Sequence, residues 1–421
     1  MSFMKNKFLL ILGTILLSST FTSCTNHPDI SNSTSENNMT NINEITGTSL
    51  ENKELNLVKW EGRYAYKKEL GMMMLYHTAT GFTVDFYGTE LKATFYHDED
   101  LKGTPSKDIY YDVKLDDETL PNINNRRIKL PKNDIESNIT LVKDLENGHH
   151  TVTVLKMNEG NDSFTGIKKI QTDGYFLKRD EQKDNKKPKI LAINASYGSG
   201  YGSLAYSEVS GTEFKKTTSN SSSLHAFQYL TARRLDADIQ FVATSGWGVT
   251  YPASKSISKI IDNVGVTPTN NVEGSNQTGT WNKDNYVPDI ISFHIGGNDE
   301  DSSQFNEEGY KTGVIELVNK LHTYYPNAKM LWNHTNSKAG KLAIEAIKEA
   351  GIIQQGYLKQ CIIPGIGKGD TGNGTYGASN HASLKTQIDA SEVITSTLSR
   401  WGFTPVREQI NFLDFVYLLE K

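Results

Sequence analysis

Residues 178–187 read KRDEQKDNKK, and this charged run divides the chain into two parts with different patterns. Before it, short runs of β-branched and aromatic residues are separated by turn residues. After it, apolar runs alternate with longer stretches of helical spacing. A segment this highly charged stays in solvent, and Pro188 closes it. We therefore expect a domain boundary here, between residues 56–180 and residues 188–421.

The part before the boundary has the pattern of an all-β domain. No stretch in it shows a convincing amphipathic helical period, and the Asn147-Gly148 pair suits a tight turn between strands. Several short strands of this kind predict a β-sandwich of the jelly-roll type. The strand-like runs are residues 81–88, 91–96, 109–115, 139–142 and 150–155.

The part after the boundary alternates between buried strands and helices. Such alternation predicts a flavodoxin-like parallel sheet with helices on both faces. In these sheets the functional groups collect beyond the carboxyl ends of the strands. The expected strands are residues 190–193, 239–243, 290–295, 329–332 and 361–363, and the expected helices are residues 223–234, 307–324, 338–350 and 383–399.

The first residues have the pattern of an export signal. Lys5 and Lys7 precede an apolar run at residues 8–17, and small polar residues follow. The run is too short to span a membrane comfortably. We expect residues 1–23 to be a signal peptide.

The predicted signal ends at a cysteine that can carry a lipid. Residues 21–24 read FTSC and resemble the bacterial lipobox, in which the cysteine, here Cys24, is lipidated. Phe21 stands where leucine is usual, so ordinary secretion is the alternative. Residues 24–55 are rich in Asn, Ser, Thr and Glu, which predicts a flexible tether between a lipid anchor and the body. If Cys24 is lipidated, Thr25 in place of an acidic residue favours anchoring in the outer membrane, with the body of the protein facing the periplasm or the cell surface.

Composition excludes several classes of protein. The net charge is −5, from 44 basic and 49 acidic residues, so we expect no nucleic-acid partner. The only cysteines are Cys24 and Cys361, too few for a disulfide scaffold or a cysteine-built zinc site. His149 and His150 have no metal-ligand partners at the usual spacing, so we expect no metal either.

Polar and glycine-rich blocks follow the predicted strands. Because the carboxyl ends of parallel strands meet at one edge of a sheet, these blocks should lie close together. A late block containing a histidine precedes the last predicted helix. The blocks are NASYGSGYG at residues 194–202, TSGWGV at 244–249, GGND at 296–299 and SNHAS at 379–383.

In this order and spacing, the blocks resemble those of the SGNH (GDSL-type) hydrolases, whose pattern is a GDS, an SG, a GxND and a late DxxH-like block. The resemblance extends to the extracellular acetyl esterases of carbohydrate esterase family two, whose β-sandwich begins near a Gly-Arg pair, here residues 62–63. Residues 148–152 match that family's Gly-x-His-Thr-Val strand. Trp281 and residues 288–289 match its Trp and Pro-Asp, and the whole match covers about residues 58–400.

The resemblance implies a serine esterase that needs no cofactor. It makes Ser196 the nucleophile and His381 its base, since a serine hydroxyl needs a base within hydrogen-bond reach. It assigns the oxyanion hole to the Ser196 N–H, the Gly246 N–H and the Asn298 amide. Glycine suits a close approach of backbone to substrate, and an asparagine donates without the desolvation penalty of a charge. Asp299 would brace the loop.

Two positions depart from the family pattern. Residues 194–196 read Asn-Ala-Ser instead of Gly-Asp-Ser, so the carboxylate beside the nucleophile is missing. The aspartate expected two residues before the base is Ser379. Without that acid, we expect a backbone carbonyl to set the tautomer of His381, and Ser196 and His381 to form a dyad.

Each site residue also has an ordinary structural interpretation. Taken alone, Ser196 could cap a helix, His381 could be a solvated histidine, and residues 298–299 could form a turn. Three aromatic residues could line a sugar-binding cleft, because aromatic faces stack on pyranose rings, or could simply pack in the core. They are Tyr201, Trp247 and Trp281.

The leading hypothesis is therefore an exported esterase that removes O-acetyl groups from a xylan- or mannan-like polysaccharide. Its partners would be the acetylated glycan and, through the lipid anchor, a membrane. A second hypothesis, motivated by the missing acids, is a surface glycan-binding protein of the same fold whose catalytic site has decayed. A third is an esterase for another acyl carrier, such as a bacterial surface glycan or host sialic acid.

Overall fold

The computed structural model describes most of the chain after residue 46. Cys24, the signal peptide and residues 24–46 of the tether lie outside the described residues, so these predictions stay as predictions. No helix among the residues described is long and apolar enough to cross a membrane. The described ranges are residues 47–51, 57–68, 70–98, 105–119, 126–179, 187–208, 214–253, 256–266, 279–367 and 374–406, with the single residues 410 and 415.

Two antiparallel sheets form the first part of the described chain. In one sheet the strand order is β3-β4-β11-β6-β9, with β1 also paired to β11; in the other it is β12-β5-β10-β7-β8, with β2 paired to β5. The strands are β1 (Ser49–Glu51), β2 (Lys59–Glu61), β3 (Tyr64–Lys67), β4 (Met72–Leu75), β5 (Gly81–Gly88), β6 (Leu91–Asp98), β7 (Ile109–Leu115), β8 (Arg127–Leu130), β9 (Glu136–Val142), β10 (Gly148–Lys156), β11 (Phe164–Thr172) and β12 (Tyr175–Leu177).

The two sheets pack face to face over a shared apolar core. Phe82, Val84 and Phe86 alternate along β5 and are buried, because successive side chains of a strand point to opposite faces. They meet Phe95 of β6 and Ile167 of β11 from the other sheet. The predicted β-sandwich is therefore confirmed.

The sequence pattern predicted fewer strands than the sandwich contains. The nine residues of β11 contain a glycine and two adjacent lysines, which break the alternation of apolar and polar residues. Residues 72–75 are apolar without interruption and fully buried, since β4 is covered on both faces. Neither run carries the period-two signal, so both strands were missed.

A five-stranded parallel sheet forms the second part, in the order β14-β13-β15-β16-β17. Its all-parallel pairing confirms the predicted α/β architecture. The strands are β13 (Lys189–Asn194), β14 (Asp238–Ala243), β15 (Ile290–His294), β16 (Lys329–His334) and β17 (Leu358–Ile362), and the helices are α1 (Phe227–Leu235), α2 (Ile257–Ile260), α3 (Gly297–Glu300), α4 (Glu307–Tyr324), α5 (Lys338–Glu349) and α6 (Leu384–Ser399).

Two predicted boundaries in this part were wrong. The last strand begins at Leu358 rather than at residue 361, because β17 lies at the edge of the sheet and carries partly exposed polar residues at its centre. The first helix begins at Phe227 rather than at residue 223, because residues 223–225 form a 3-10 turn first.

The sandwich and the parallel sheet share buried cores, and the described residues form one compact unit. Met74 and Phe164 of the sandwich pack in the same cluster as Leu191 and Val242 of the parallel sheet. Arg63, which is 2% exposed, donates from its Nη1 atom to the carbonyl oxygen of Ile261 at 2.7 Å, and also to that of Asn263 at 2.6 Å. The sandwich is therefore packed onto the edge of the α/β part.

The last stretch, residues 402–421, contains an apolar run at residues 412–419, from which we expect a strand or helix docked on the body. Within it, the structure describes Ile410 and Phe415 beyond residue 406, and both side chains are buried. The Phe415 ring lies edge-on to His225 with 5.2 Å between ring centroids.

Candidate active site

The predicted site residues gather beyond the carboxyl ends of the parallel strands. Ser196 follows β13, Gly246 follows β14 and Asn298 follows β15. His381 comes after the last strand, just before α6. The topology thus brings the blocks to one edge of the sheet.

Ser196 and His381 are in hydrogen-bond contact. The Oγ atom of Ser196 lies 2.9 Å from Nε2 of His381, although the residues are 185 positions apart in the chain. The other ring nitrogen, Nδ1, lies 2.9 Å from the carbonyl oxygen of Ser379. A carbonyl only accepts, so Nδ1 carries the proton and Nε2 is left to accept from the serine hydroxyl. This is the arrangement that a general base needs.

The backbone before His381 is held in an unusual conformation that aims this carbonyl. Ser379 and Asn380 both lie in the left-handed region, with φ of 52° and 57°. Two consecutive non-glycine residues there are strained, and the surrounding contacts hold them. The Ser379 N–H donates to the carbonyl of Phe214 at 2.7 Å, and the Ser379 hydroxyl accepts from the Lys216 N–H at 3.1 Å. The expected backbone acceptor for His381 is thus present.

Burial shifts the pKa of His381 downward. Desolvation is the main cause, and the positive charge of Lys216 acts in the same direction, while the hydrogen bond to Ser379 opposes them. The Tyr201 ring lies against the imidazole with 4.4 Å between ring centroids. The Lys216 ammonium lies 5.1 Å from the centroid of that Tyr201 ring. The histidine is therefore kept neutral and able to accept a proton at neutral pH.

The donors predicted for an oxyanion hole are largely free of other hydrogen bonds. Among the described residues, the backbone N–H groups of Ser196 and Gly246 have no hydrogen-bond partner. Gly246 has φ of 87°, and no atom lies within 4 Å of where its Cβ would stand. The Asn298 amide donates to the carbonyl of Trp247 at 2.7 Å, which uses one of its two hydrogens and ties two of the loops together.

A buried carboxylate braces the loop that carries Gly246. Asp299 is 1% exposed, and its two oxygens accept from the N–H groups of Val249 and Thr250 at 2.8 Å and from that of Tyr251 at 3.0 Å. A Cβ at Gly248 would lie 2.0 Å from one of these oxygens, so only glycine fits there. The predicted bracing role of Asp299 agrees with these contacts.

The aromatic residues proposed to line the cleft are divided by the structure. Tyr201 is half-buried and touches His381. Trp247 is 3% exposed, and its side chain packs in the α/β core. Trp281 is 7% exposed and lies against Arg63 and Tyr64, where the sandwich meets the parallel sheet. The burial of both tryptophan rings agrees with the other interpretation, in which they pack in the core.

The first residue of the altered block belongs to a buried hydrogen-bond network. Asn194 is fully buried, and its amide donates to the Gln228 side chain of α1. The Gln228 amide in turn donates to the carbonyl and hydroxyl of Ser292 on β15. These hydrogen bonds link β13, α1 and β15 directly before the nucleophile loop, although the Asn194 Oδ1 atom itself has no partner among the described residues.

The sequence analysis missed residues that the sandwich contributes to this site. The segment between β10 and β11 extends to the loop after β14, where the Glu159 carboxylate accepts from the Ser245 N–H at 2.7 Å. The Asn161 amide donates to the Ser245 carbonyl at 3.1 Å. Nothing local in the sequence marks these residues, because their partners lie more than eighty positions away.

Two other histidines, His294 and His150, are held by packing or by hydrogen bonds. His294 is packed between Tyr197 and Phe227, and burial lowers its pKa to about 4. His150 contacts Asp116 and the carbonyl of Glu146 at 2.9 and 2.8 Å. Within the described part of the chain, no group of His, Cys, Asp and Glu side chains could hold a metal ion.

The Asp299 brace can be tested by stability. Asp299→Asn places an amide against three backbone N–H donors, which leaves buried donors unpaired. We expect the free energy of unfolding, measured by urea denaturation, to fall by about 3 kcal/mol. Asp301→Asn, an exposed position in the same turn, is the matched control and should change it by less than about 0.5 kcal/mol. Equal values for wild type and Asp299→Asn would contradict the brace.

Comparison with known proteins points to one family. Residues 60–178 match the family described as Carbohydrate esterase 2 N-terminal. A cellulase/esterase of Acetivibrio thermocellus is 23% identical over 354 residues, which cover 81% of this chain and 39% of the relative. An acetylxylan esterase/glucomannan deacetylase of Cellvibrio japonicus is 25% identical over 232 residues, which cover 52% of this chain and 61% of the relative. The chain thus spans less than two thirds of the length of either relative.

The likeness extends to three dimensions. A family two carbohydrate esterase from Clostridium thermocellum, solved in complex with cellohexaose, superposes with a TM-score of 0.65. The two proteins are 20% identical, and the superposition covers 82% of this chain and 99% of that chain. The predicted resemblance to carbohydrate esterase family two is confirmed, and the chain has the fold of the solved family two esterase, an antiparallel β-sandwich followed by a parallel-sheet α/β domain.

Proposed function

We propose that this protein is a carbohydrate esterase that removes O-acetyl groups from a polysaccharide through an acetyl-serine intermediate. The observation that carries the proposal is the contact between Ser196 Oγ and His381 Nε2 at 2.9 Å, with the opposite ring nitrogen held by a backbone carbonyl. The N–H groups of Ser196 and Gly246, at the same edge of the sheet, have no hydrogen-bond partner among the described residues. A nucleophile, a correctly oriented base and oxyanion donors are the parts that acyl transfer requires.

In the first half-reaction, His381 Nε2 takes the proton of the Ser196 hydroxyl as Oγ attacks the acetyl carbonyl carbon. The carbonyl oxygen gains negative charge, and the N–H groups of Ser196 and Gly246, with the Asn298 amide, stabilise it. The bond to the sugar oxygen then breaks, and the imidazolium gives its proton to that oxygen. The sugar leaves with a free hydroxyl, and Ser196 carries the acetyl group.

In the second half-reaction, water takes the place of the sugar. His381 accepts a proton from the water as its oxygen attacks the acetyl-serine, and the same donors stabilise the new oxyanion. The ester bond to Oγ breaks, Oγ regains the proton, and acetate leaves. No redox step or external group is needed for this balance.

A dyad suffices in this scheme because the third member of a triad orients and stabilises the histidine rather than taking its proton. The Ser379 carbonyl performs the orienting part. A neutral carbonyl stabilises the imidazolium less than a carboxylate would, so we expect slower turnover than in a triad enzyme of the same fold.

The names of the relatives support a polysaccharide substrate. One is an acetylxylan esterase/glucomannan deacetylase, another is a cellulase/esterase, and the solved neighbour was crystallised with cellohexaose. We infer that the substrate is an acetylated plant-type polysaccharide of the xylan or mannan class. The hypothesis of a decayed glycan-binding protein is disfavoured by the intact geometry of Ser196 and His381.

The central test is hydrolysis of p-nitrophenyl acetate and acetylated xylan by residues 43–421, the part that forms one compact unit. Ser196→Ala should lower kcat by about four orders of magnitude, because no other nucleophile is in place. Ser199→Ala, in the same loop, is the control and should retain activity within about tenfold. A fluorophosphonate probe should label the wild type at Ser196. Equal acetate release by the wild type and Ser196→Ala would refute the proposal, and binding of acetylated glycan without release would favour the decayed form.

The pH dependence follows from the base. His381 acts only when neutral, so kcat/KM should fall as the pH drops through its pKa, which burial places below the ordinary 6.5. Lys216→Gln removes a positive charge that disfavours the imidazolium, so the acid limb should move to higher pH. Lys216→Arg keeps the charge and should leave the limb in place. A limb that is the same in Lys216→Gln and the wild type would contradict this electrostatic role.

We further propose that the protein is exported and anchored to a membrane by a lipid on Cys24, which would hold the esterase near glycans outside the cytoplasm. The FTSC sequence at residues 21–24 motivates this. In a bacterial host given an alkyne-tagged palmitate, the full chain should incorporate the label and fractionate with membranes. Cys24→Ser should do neither, whereas Cys361→Ser should behave like the wild type. Labelling of Cys24→Ser at the wild-type level would overturn the anchor, and unlabelled wild type in the medium would indicate ordinary secretion.

A further inference from the structure

The sandwich holds the loop that carries the proposed oxyanion donor. Glu159 and Asn161 lie in the segment between β10 and β11, within the sandwich part of the chain. The Glu159 carboxylate accepts from the Ser245 N–H at 2.7 Å, and the Asn161 amide donates to the Ser245 carbonyl at 3.1 Å. Both backbone polar groups of Ser245 are thus bound by neighbouring residues of the other part of the molecule.

The planarity of the peptide bond makes these contacts matter for Gly246. The Ser245 carbonyl and the Gly246 N–H belong to one planar trans peptide unit, so they point in opposite directions. Whatever fixes the direction of the Ser245 carbonyl also fixes the direction of the Gly246 N–H. Gly246 itself is exposed and has no neighbour within 4 Å of its missing Cβ, so its own packing does not orient it.

The cost of burying Glu159 indicates that its position is specific. Its side chain is 4% exposed, and a buried carboxylate needs partners to offset lost solvation. Besides Ser245, it contacts the Ser199 hydroxyl in the nucleophile loop at 3.3 Å and the Lys216 ammonium at 3.8 Å. One carboxylate therefore touches the loop after β13, the loop after β14 and the segment before α1.

Charges from both parts surround this carboxylate. Asp162 is 1% exposed and pairs with Lys216 and, at 3.4 Å, with Lys107. Lys156 is fully buried and donates to the Ser163 carbonyl. Burial raises the pKa of Glu159, as does Asp162, while Lys216 and the hydrogen bonds from Ser245 act in the opposite direction. The cluster contains compensating charges, and its Lys216 ammonium is the one that also lowers the pKa of His381.

We propose that Glu159 and Asn161 of the sandwich are positioning residues that aim the Gly246 N–H into the oxyanion hole. The inference rests on the proposed esterase function. Neither side chain contacts Ser196 or His381. Asn161 acts through the Ser245–Gly246 peptide, whose carbonyl it binds, and Glu159 acts through the preceding Thr244–Ser245 peptide, whose N–H it binds. The sandwich is then a working part of the active site and not only a neighbouring domain.

Kinetics of Asn161 and Glu159 variants test whether these side chains orient the Gly246 N–H. Asn161→Asp replaces the amide donor by a carboxylate facing the Ser245 carbonyl, and Glu159→Ala removes the acceptor. Each should lower kcat for p-nitrophenyl acetate by about 5- to 50-fold, with KM within about twofold, because a misdirected oxyanion donor is lost mainly in the transition state. Glu159→Gln keeps an acceptor oxygen and should recover most of the activity.

The matched control is Asp173→Ala. Asp173 also belongs to the sandwich and accepts from two backbone N–H groups, those of Thr89 and Glu90, at 2.8 and 3.0 Å. Asp173 lies near the C-terminal end of β5, whereas the segment with Glu159 follows the part of β10 that pairs with the N-terminal end of β5. Its removal therefore tests the loss of a carboxylate cap at a distance from the site. Its kcat should stay within about twofold of the wild type even where the melting temperature falls.

Hydrogen exchange gives a readout that does not need turnover. In the free protein, amide exchange of residues 244–248, followed by mass spectrometry, should accelerate in Glu159→Ala and Asn161→Asp but not in Glu159→Gln or Asp173→Ala. Unchanged exchange in the first two variants overturns the inference, whether or not the protein is an esterase. With an active wild type, a kcat within twofold for both variants overturns it as well. If wild type and Ser196→Ala are equally inactive, the proposed function fails, and exchange alone decides the positioning role.

Discussion

The hydrogen bond between Ser196 and His381 depends on the Ser379 carbonyl, which the chain holds in place through a strained backbone conformation. Ser379 and Asn380 both occupy left-handed backbone conformations, and this turn directs the Ser379 carbonyl to the imidazole. The strain persists because contacts from the segment at 214–216 hold Ser379 on both its backbone and its hydroxyl. An acid that would normally orient the histidine is replaced by backbone geometry, so the site keeps its tautomer without a buried negative charge beside the base.

Buried polar contacts also join the sandwich to the α/β part near the site. Arg63 from the sandwich reaches carbonyl groups of the α/β part, and Glu159 reaches the Ser245 N–H. Both charges are buried, which is tolerable only where the partner surface supplies polar groups. Met74 and Phe164 join the α/β core beside them. The interface therefore combines apolar burial, which provides affinity, with buried polar contacts, which define one orientation.

Much of this arrangement could be predicted because it is local. A block of polar and glycine residues directly after a buried strand lies at a sheet edge, and this placed Ser196, Gly246 and Asn298. Prediction failed where the tertiary environment, rather than the local sequence, determines which residues are paired or buried. β11 lacks alternation, because its glycine and lysines interrupt the pattern. The sequence left Trp247 and Trp281 open between a cleft and the core, because a pattern does not distinguish a ring that faces a cleft from one that packs beneath it, and the structure buries both rings.

The sequence by itself determined the division into an all-β and an α/β part and the placement of the polar blocks at strand ends, because both depend on periodicity or on adjacency to a strand end. The resemblance of those blocks to a known family singled out Ser196 and His381. Only the tertiary structure decided what orients His381 and what holds the loop after β14. The first depends on two backbone torsion pairs, and the second on Glu159 and Asn161, whose partner Ser245 is 86 and 84 positions away. Contacts of that range form only when the sandwich closes against the parallel sheet, and no local pattern encodes them.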